Sequence, residues 1–183
     1  MSAYSQIGKP VGRAEGPGKA SGTTLYPADV KRPGMLVGRC LRSTVPHARI
    51  VSIDVSEARR LAGVHAVLIA SDLPAVRVGR ALEDFPPLAD GIVRYTGQKV
   101  AAVAAQSREI ADEALALIDV EYAELPAVFD AAEARGSEAP VLHPDFCDYY
   151  GRADFEGRLP NEMARNEWRH GDVEQGFADA DLV

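Results

Sequence analysis

Cysteine is scarce: the 183 residues hold two, Cys40 and Cys147. That excludes a disulfide framework, and their separation excludes a Cys-x-x-Cys redox or metal motif. A reducing, cytoplasmic setting is the simplest expectation. Aromatic residues are few as well, 7% with a single tryptophan, so Val, Ile, Leu and Ala must build most of the core. No long apolar run exists. The longest strongly apolar stretch, residues 100–105, is far short of the roughly 20 residues needed to cross a bilayer. The opening Met1-Ser2-Ala3-Tyr4-Ser5-Gln6 has no apolar signal core.

What is present fits one compact domain, or one domain plus arms. Apolar residues make up 46%, enough for a core, and the net charge is -7. The charge is uneven. Residues 1–50 carry eight basic groups (Lys9, Arg13, Lys19, Lys31, Arg32, Arg39, Arg42, Arg49) against Glu15 and Asp29, a net of +6, and the remainder is -13. A basic arm lying on an acidic body accounts for this, and so does an arm that docks on an anionic partner or ligand. Nucleic acid is an unsuitable partner, because the chain as a whole repels phosphate backbones and no basic recognition motif is present.

Residues 1–34 are rich in Gly, Pro, Ser and Thr and read as an extended arm, closed by a Pro33-Gly34 turn. Strand composition follows at 35–42 and 48–55. Ser56 is a fair cap for a short helix over 57–61 that stops at Gly63. Residues 64–69 read as strand and 75–91 as loop. Strand returns over 93–105, broken by a turn at Thr96-Gly97. Ser107 then caps the clearest helix, 108–118, where Ile110, Ala111, Ala114, Leu115, Leu117 and Ile118 recur at three- and four-residue steps. Residues 120–122 form a short strand. Residues 135–163 read as a long connection, 168–172 as a turn, and 173–179 as a short helix. Asp181-Leu182-Val183 suggests the start of a strand, and hence a fragment or a chain cut at a domain boundary. The expected architecture is α+β: an arm (1–34), a mixed-sheet body with one main helix (35–134) and a connector (135–183).

No chemical signature survives inspection. A phosphate loop needs a hydroxyl after Gly18-Lys19, but Ala20 stands there, and Arg13 occupies the place of the earlier glycine. Gly16 and Gly18 begin a dinucleotide pattern whose third glycine is Ser21, and no strand precedes it. The histidines His47, His65, His143 and His170 are scattered, and His143 with Cys147 supplies only two ligands, with Pro144 between them. His65 falls in a strand, where a structural histidine is the commoner reading. Ser43 and His47 are close in sequence without any nucleophile elbow, and Asp112 and Glu113 fall on a solvated helix face. The residues themselves thus describe a soluble domain with no catalytic, cofactor-binding or metal-binding group assigned.

Several stretches together carry a resemblance. They are Gly8-Lys9-Pro10-Val11 with Arg13, Gly16, Lys19, Gly22, Tyr26 and Asp29; Pro33-Gly34-Met35-Leu36; Gly38; Leu41-Arg42-Ser43; and His47-Ala48-Arg49-Ile50 with Ile53-Asp54. Further on stand Gly63-Val64, Asp72-Leu73-Pro74, Val93-Arg94-Tyr95-Thr96-Gly97-Gln98 running into Val100-Ala101-Ala102-Val103, and Ala114. Then come Val120-Glu121-Tyr122, Leu125-Pro126-Ala127-Val128, Gly171-Asp172-Val173, Phe177-Ala178 and Ala180-Asp181. In order and spacing they resemble the start of the large subunit in the xanthine dehydrogenase and aldehyde oxidase family of molybdenum hydroxylases, 4-hydroxybenzoyl-CoA reductase-like enzymes included.

That resemblance implies an α/β hammerhead domain, preceded by an arm and followed by a linker into cofactor domains. It implies a whole enzyme that uses molybdopterin, with iron-sulfur clusters and in many relatives FAD. Such an enzyme inserts a water-derived oxygen at a carbon of an aldehyde, N-heterocycle or aromatic substrate, or removes a hydroxyl reductively from an aryl-CoA. The expected partners are a molybdopterin-binding domain or subunit, an iron-sulfur subunit and, where flavin is used, an FAD subunit, with a homodimer through exposed sheet edges as an option when isolated. The family's cofactor loops and catalytic glutamate lie in later domains, so no catalytic residue is carried over, and two cysteines cannot hold two iron-sulfur clusters. The Gly97-Gln98 turn is the one place where backbone could approach a neighbouring domain, an ordinary hairpin turn being the plain alternative. The competing functional class is a free-standing module that binds a partner or an anionic ligand through the +6 arm.

Overall fold

A computed structural model describes residues 7–8, 10–152, 158–168 and 170–182. Met1 to Gln6, Lys9, residues 153–157 of the connector, Arg169 of the 168–172 turn and Val183 lie outside these. The chain divides into two units, Met1–Leu36 and Val37–Val183.

The first unit is less extended than its composition suggests. Pro17 starts a six-residue helix, α1 (Gly16–Ser21), because proline fits the first turn, where its missing N–H costs nothing. Gly22, at φ 74°, ends it. A 3-10 turn over Pro27–Asp29 follows, held by the Tyr26 N–H donating to Asp29 Oδ2 at 2.9 Å. Neither element buries a residue.

The second unit is α+β, with its strands divided between two antiparallel sheets. The strands are β1 (Val37–Arg42), β2 (Ala48–Asp54), β3 (Val64–Ile69), β4 (Ile92–Val93), β5 (Lys99–Ala105) and β6 (Asp119–Glu124). One sheet has the order β1-β5-β3, the other β4-β2-β6. Two helices, α2 (Ser56–Arg60) and α3 (Arg108–Ala116), pack against the first sheet.

Side chains alternate across a strand, and β5 uses both of its faces. Ala101, Val103 and Ala105 join Ala58 of α2 and Ala111 and Ala114 of α3 in one core. Val100 turns the other way and packs with Ala48, Ala89 and Val93 in a second. Alanines at these contacts let helix and sheet backbones approach closely, which is how a chain with few aromatics closes its interior. Arg39 Nε meets Asp112 Oδ1 at 2.7 Å and ties β1 to α3; both side chains are about two-fifths exposed, so the pair is worth about 1 kcal/mol or less.

Helix ends follow local chemistry. Ser107 Oγ accepts from the Ile110 N–H at 3.3 Å and starts α3. Ser56 does not cap α2. Val55 occupies the cap position, and the Asp54 carboxylate takes the Ser56 N–H at 2.8 Å, because Asp54 already lies at the end of β2 with its carboxylate in reach. Hydrogen bonds from Ser56 hold the Asp54 carboxyl below the usual carboxylate range. Gly63 then turns the chain at φ 88°, and a β-carbon there would stand 2.7 Å from Ile110 Cδ1.

Residues 75–91 and 137–152 have no period in sequence, yet they hold each other. Val78 and Phe85 form an isolated bridge, the Glu83 N–H donates to Tyr150 O at 2.9 Å, and Arg77 pairs with Asp145 at 3.2 Å. Phe146 and Tyr149 are buried to 2% and 3% exposure. Further along the connector, Asn161 fastens the segment. Its Oδ1 accepts from the Leu142 N–H, and its Nδ2 donates to Ala134 O and Pro140 O, all within 3.0 Å. Asn161→Ala is expected to open this segment locally by about 1–3 kcal/mol, seen as faster proteolysis of 134–142 with the global unfolding midpoint little changed.

After α4 (Ala131–Ala134) and before the closing helix α5 (Val173–Ala178), no strand is present among the described residues. Asp181 and Leu182, where the sequence suggests a strand, are not paired. No described helix is long and apolar enough to cross a membrane.

Candidate interface site

Three segments that are distant in sequence converge at one end of the second unit: Ser43–His47, Arg94–Gln98 and Leu125–Phe129. The first two are joined reciprocally. The Ser43 N–H donates to Gln98 O and the Gly97 N–H donates to Ser43 O, both at 2.8 Å. Gly97 sits at φ 89°, a conformation that favours glycine, and its carbonyl accepts from Arg42 Nη1 at 2.8 Å. Gln98, only 2% exposed, folds back so that Oε1 accepts the Arg94 N–H at 2.7 Å. The third segment is fixed by His47, 7% exposed. The Leu125 N–H donates to His47 O at 2.9 Å, and His47 Nδ1 lies 2.6 Å from Pro126 O. A carbonyl only accepts, so the His47 proton resides on Nδ1.

This frame encloses an apolar pocket of about 230 Å³, lined by His47, Arg94, Tyr95, Val128, Phe129 and Leu142 among others. Phe129 is 84% exposed and Tyr95 46%, and Tyr95 stacks on Phe85 at a ring separation of 6.5 Å. Arg94 spends Nε on Leu142 O at 2.7 Å.

A second, larger hollow of about 480 Å³ lies beside it, with Arg77, Arg94, Asp90 and Asp145 in its lining. His143 stands near. Its Nδ1 is 2.9 Å from the Tyr149 hydroxyl, and Arg77 lies over the Tyr149 ring at 4.7 Å. Burial, then the charge of Arg94, pulls the His143 pKa below its ordinary value, while burial pushes the Tyr149 phenol up. His143 is thus favoured neutral in the fold. The unfolded chain binds the proton more readily, so stability falls as pH drops below about 6.5 and levels off beneath the folded-state pKa. Acidification is expected to speed hydrogen exchange at residues 140–150, and His143→Gln to remove that dependence.

The other sequence candidates are not brought into any catalytic arrangement. Ser43 Oγ donates to Val45 O at 2.7 Å and His47 is committed to Pro126, so the two do not form a nucleophile pair. Asp112 pairs with Arg39 and Arg108. His65 lies against Gln106 at 3.3 Å. Lys19, beside the arm glycines, pairs with Glu15 at 3.4 Å. Cys40 and Cys147 are free thiols, and among the described residues no three His, Cys, Asp or Glu side chains gather as metal ligands. Sequence reasoning singled out the Gly97-Gln98 turn but missed the pocket. Phe129 was its only local signal, an aromatic residue following Ala127-Val128 where polar loop residues are usual.

Comparison with known proteins places the fold. The family model described as aldehyde oxidase and xanthine dehydrogenase, a/b hammerhead domain, matches residues 21–126. The chain belongs to that family. It is 40% identical over 172 residues to a probable xanthine dehydrogenase subunit of Bacillus subtilis (strain 168), covering 93% of this chain and 21% of that protein. It is 36% identical to the nicotinate dehydrogenase large molybdopterin subunit of Eubacterium barkeri, covering 98% of this chain and 39% of that one. The solved Cu,Mo-CO dehydrogenase in its carbon monoxide reduced state aligns with a TM-score of 0.73 at 35% identity, over 96% of this chain and 23% of that chain. The chain thus spans about a fifth of the first of these curated relatives and about two-fifths of the second.

Among the described residues the donors do not fit the iron-sulfur, pterin and flavin groups that the family resemblance implies. Two separate cysteines are not the four-thiolate set of an iron-sulfur cluster. In the larger hollow Arg77 is already paired with Asp145 and Asp90 adds a second negative charge, which disfavours a pterin or flavin phosphate there.

Proposed function

We propose that this chain is a structural and assembly domain of a molybdenum hydroxylase large subunit and carries no catalytic residue of its own. The supporting observation is the family match, set beside a site whose buried polar groups serve its own frame. Among the described residues, no buried side-chain oxygen or nitrogen is left without a partner. The whole enzyme would bind molybdopterin, pass electrons through iron-sulfur clusters, with or without an FAD subunit, and hydroxylate an aldehyde, N-heterocycle or aromatic carbon with water-derived oxygen, or run reductively on an aryl-CoA. Under this reading the arm (1–34), the hammerhead body (35–134) and the connector (135–183) serve to join this domain to the cofactor-bearing part, and the cytoplasm is its location.

Native recovery of the chain from its host, with co-purifying polypeptides identified by mass, tests this. A molybdopterin-bearing polypeptide, on the same chain or as a separate one, is the expected companion. Turnover of aldehydes or purines by the isolated chain would refute the assignment.

A further inference from the structure

We infer that the pocket beside the Arg94–Gln98 turn is a socket for one large apolar side chain of the molybdopterin-bearing polypeptide, seated next to a carboxylate that pairs with Arg94. This deepens the proposed function and rests on it.

The socket is formed in advance. Its walls come from three segments locked by the Ser43–Gln98 and Gly97–Ser43 backbone pair, the Gln98–Arg94 bond and the His47–Pro126 bond. A pre-organised surface loses little entropy on binding. Its rim is apolar and uncovered: Phe129 is 84% and Tyr95 46% exposed, with Ala127 and Val128 beside them. Clustered exposure of this kind marks an interaction surface, whereas single exposed apolar residues are ordinary. At about 230 Å³ it falls below the roughly 300–1,000 Å³ of small-molecule sites. It suits a single anchoring side chain of the kind that dominates protein interfaces.

Charge narrows the occupant. Arg94 lines the pocket, its Nε is taken by Leu142 O, and no carboxylate among the described residues pairs with its guanidinium. A charged group half-sunk in an apolar wall is best matched by an incoming carboxylate. Length identifies the source: the Bacillus subtilis and Eubacterium barkeri relatives run about five and two and a half times the length of this match, so in them polypeptide is available to cover such a surface.

The test is recovery of the molybdopterin-bearing polypeptide on tagged chain expressed in its own host, with captured pterin quantified by fluorescence. Four forms are compared: wild type, Phe129→Ser, Arg94→Gln and Leu68→Ser, the last on an exposed sheet face away from the pocket. Circular dichroism and unfolding midpoints establish that each variant is folded. Phe129→Ser is expected to lower recovery about tenfold or more and Arg94→Gln severalfold, with high salt weakening wild-type capture and leaving the Arg94→Gln remainder unchanged. Leu68→Ser should match wild type. Recovery by wild type with no loss in Phe129→Ser would sink the socket and leave the assembly role standing. A wild type that captures no pterin protein overturns both. A wild-type dimer that Phe129→Ser dissociates would assign the socket to a second copy of the chain and likewise overturn the inference.

Discussion

Val103→Asp is expected to abolish cooperative folding of the second unit, whereas Leu68→Asp on the neighbouring strand shifts the urea midpoint only slightly. Val103 is 2% exposed in the middle of β5, facing α2 and α3 among Val67, Ala101 and Ala105. A carboxylate there has no cation in its core, and an unpaired buried charge costs several kcal/mol even after relaxation. A domain of this kind is stable by about 5–15 kcal/mol in total, so the substitution removes most or all of it. Leu68 pairs with Ala102, one residue out of step with Val103, and its side chain emerges on the opposite face at 39% exposure. Its replacement costs about 1 kcal/mol or less. Equal damage from both variants, by circular dichroism against urea, would contradict the two-faced sheet.

Gln98→Leu is expected to destabilise the protein by about 1–3 kcal/mol although it keeps a buried side chain of similar reach. The loss arises because the Arg94 N–H, which Gln98 Oε1 accepts at 2.7 Å, is left without a partner behind an apolar wall. The effect should be focused: the Arg94 amide exchanges faster and the Arg94–Gln98 turn loosens, while amides in α3 slow or speed only with the global midpoint. Arg42→Ala removes a bond to the same turn, the 2.8 Å contact to Gly97 O, but that bond is exposed. Water replaces it, and a change within about 0.5 kcal/mol is expected. A Gln98→Leu protein as stable as wild type would show that the turn does not depend on its side-chain lock.

Much of the fold was legible in the chain. The strand over 64–69 matches β3, and the Ser107-capped helix matches α3, which ends at Ala116 two residues before the apolar period does. These elements announce themselves because their periodicity reports the face each one buries. The shared role of β5 was harder to read. A run of Val and Ala shows no alternation, because both faces of the strand are covered. The aperiodic stretches 75–91 and 137–152 gave no sign that they pack together. Their contacts are irregular and join residues far apart in sequence, as Arg77 does with Asp145, 68 positions on.

By itself the sequence determined the α+β class, the order of the six strands with α2, α3 and α5 and, through many weak matches in order, the hammerhead family. Those properties are local or additive along the chain, so they survive without coordinates. Only the tertiary structure decided that the strands divide into two antiparallel sheets, that Ser43, Gln98 and His47 are structural fasteners, and that Phe129 stands over a pocket. Each of these depends on which distant segments meet. Segment meeting is set by burial and hydrogen-bond satisfaction over the whole domain, which no single stretch of sequence records.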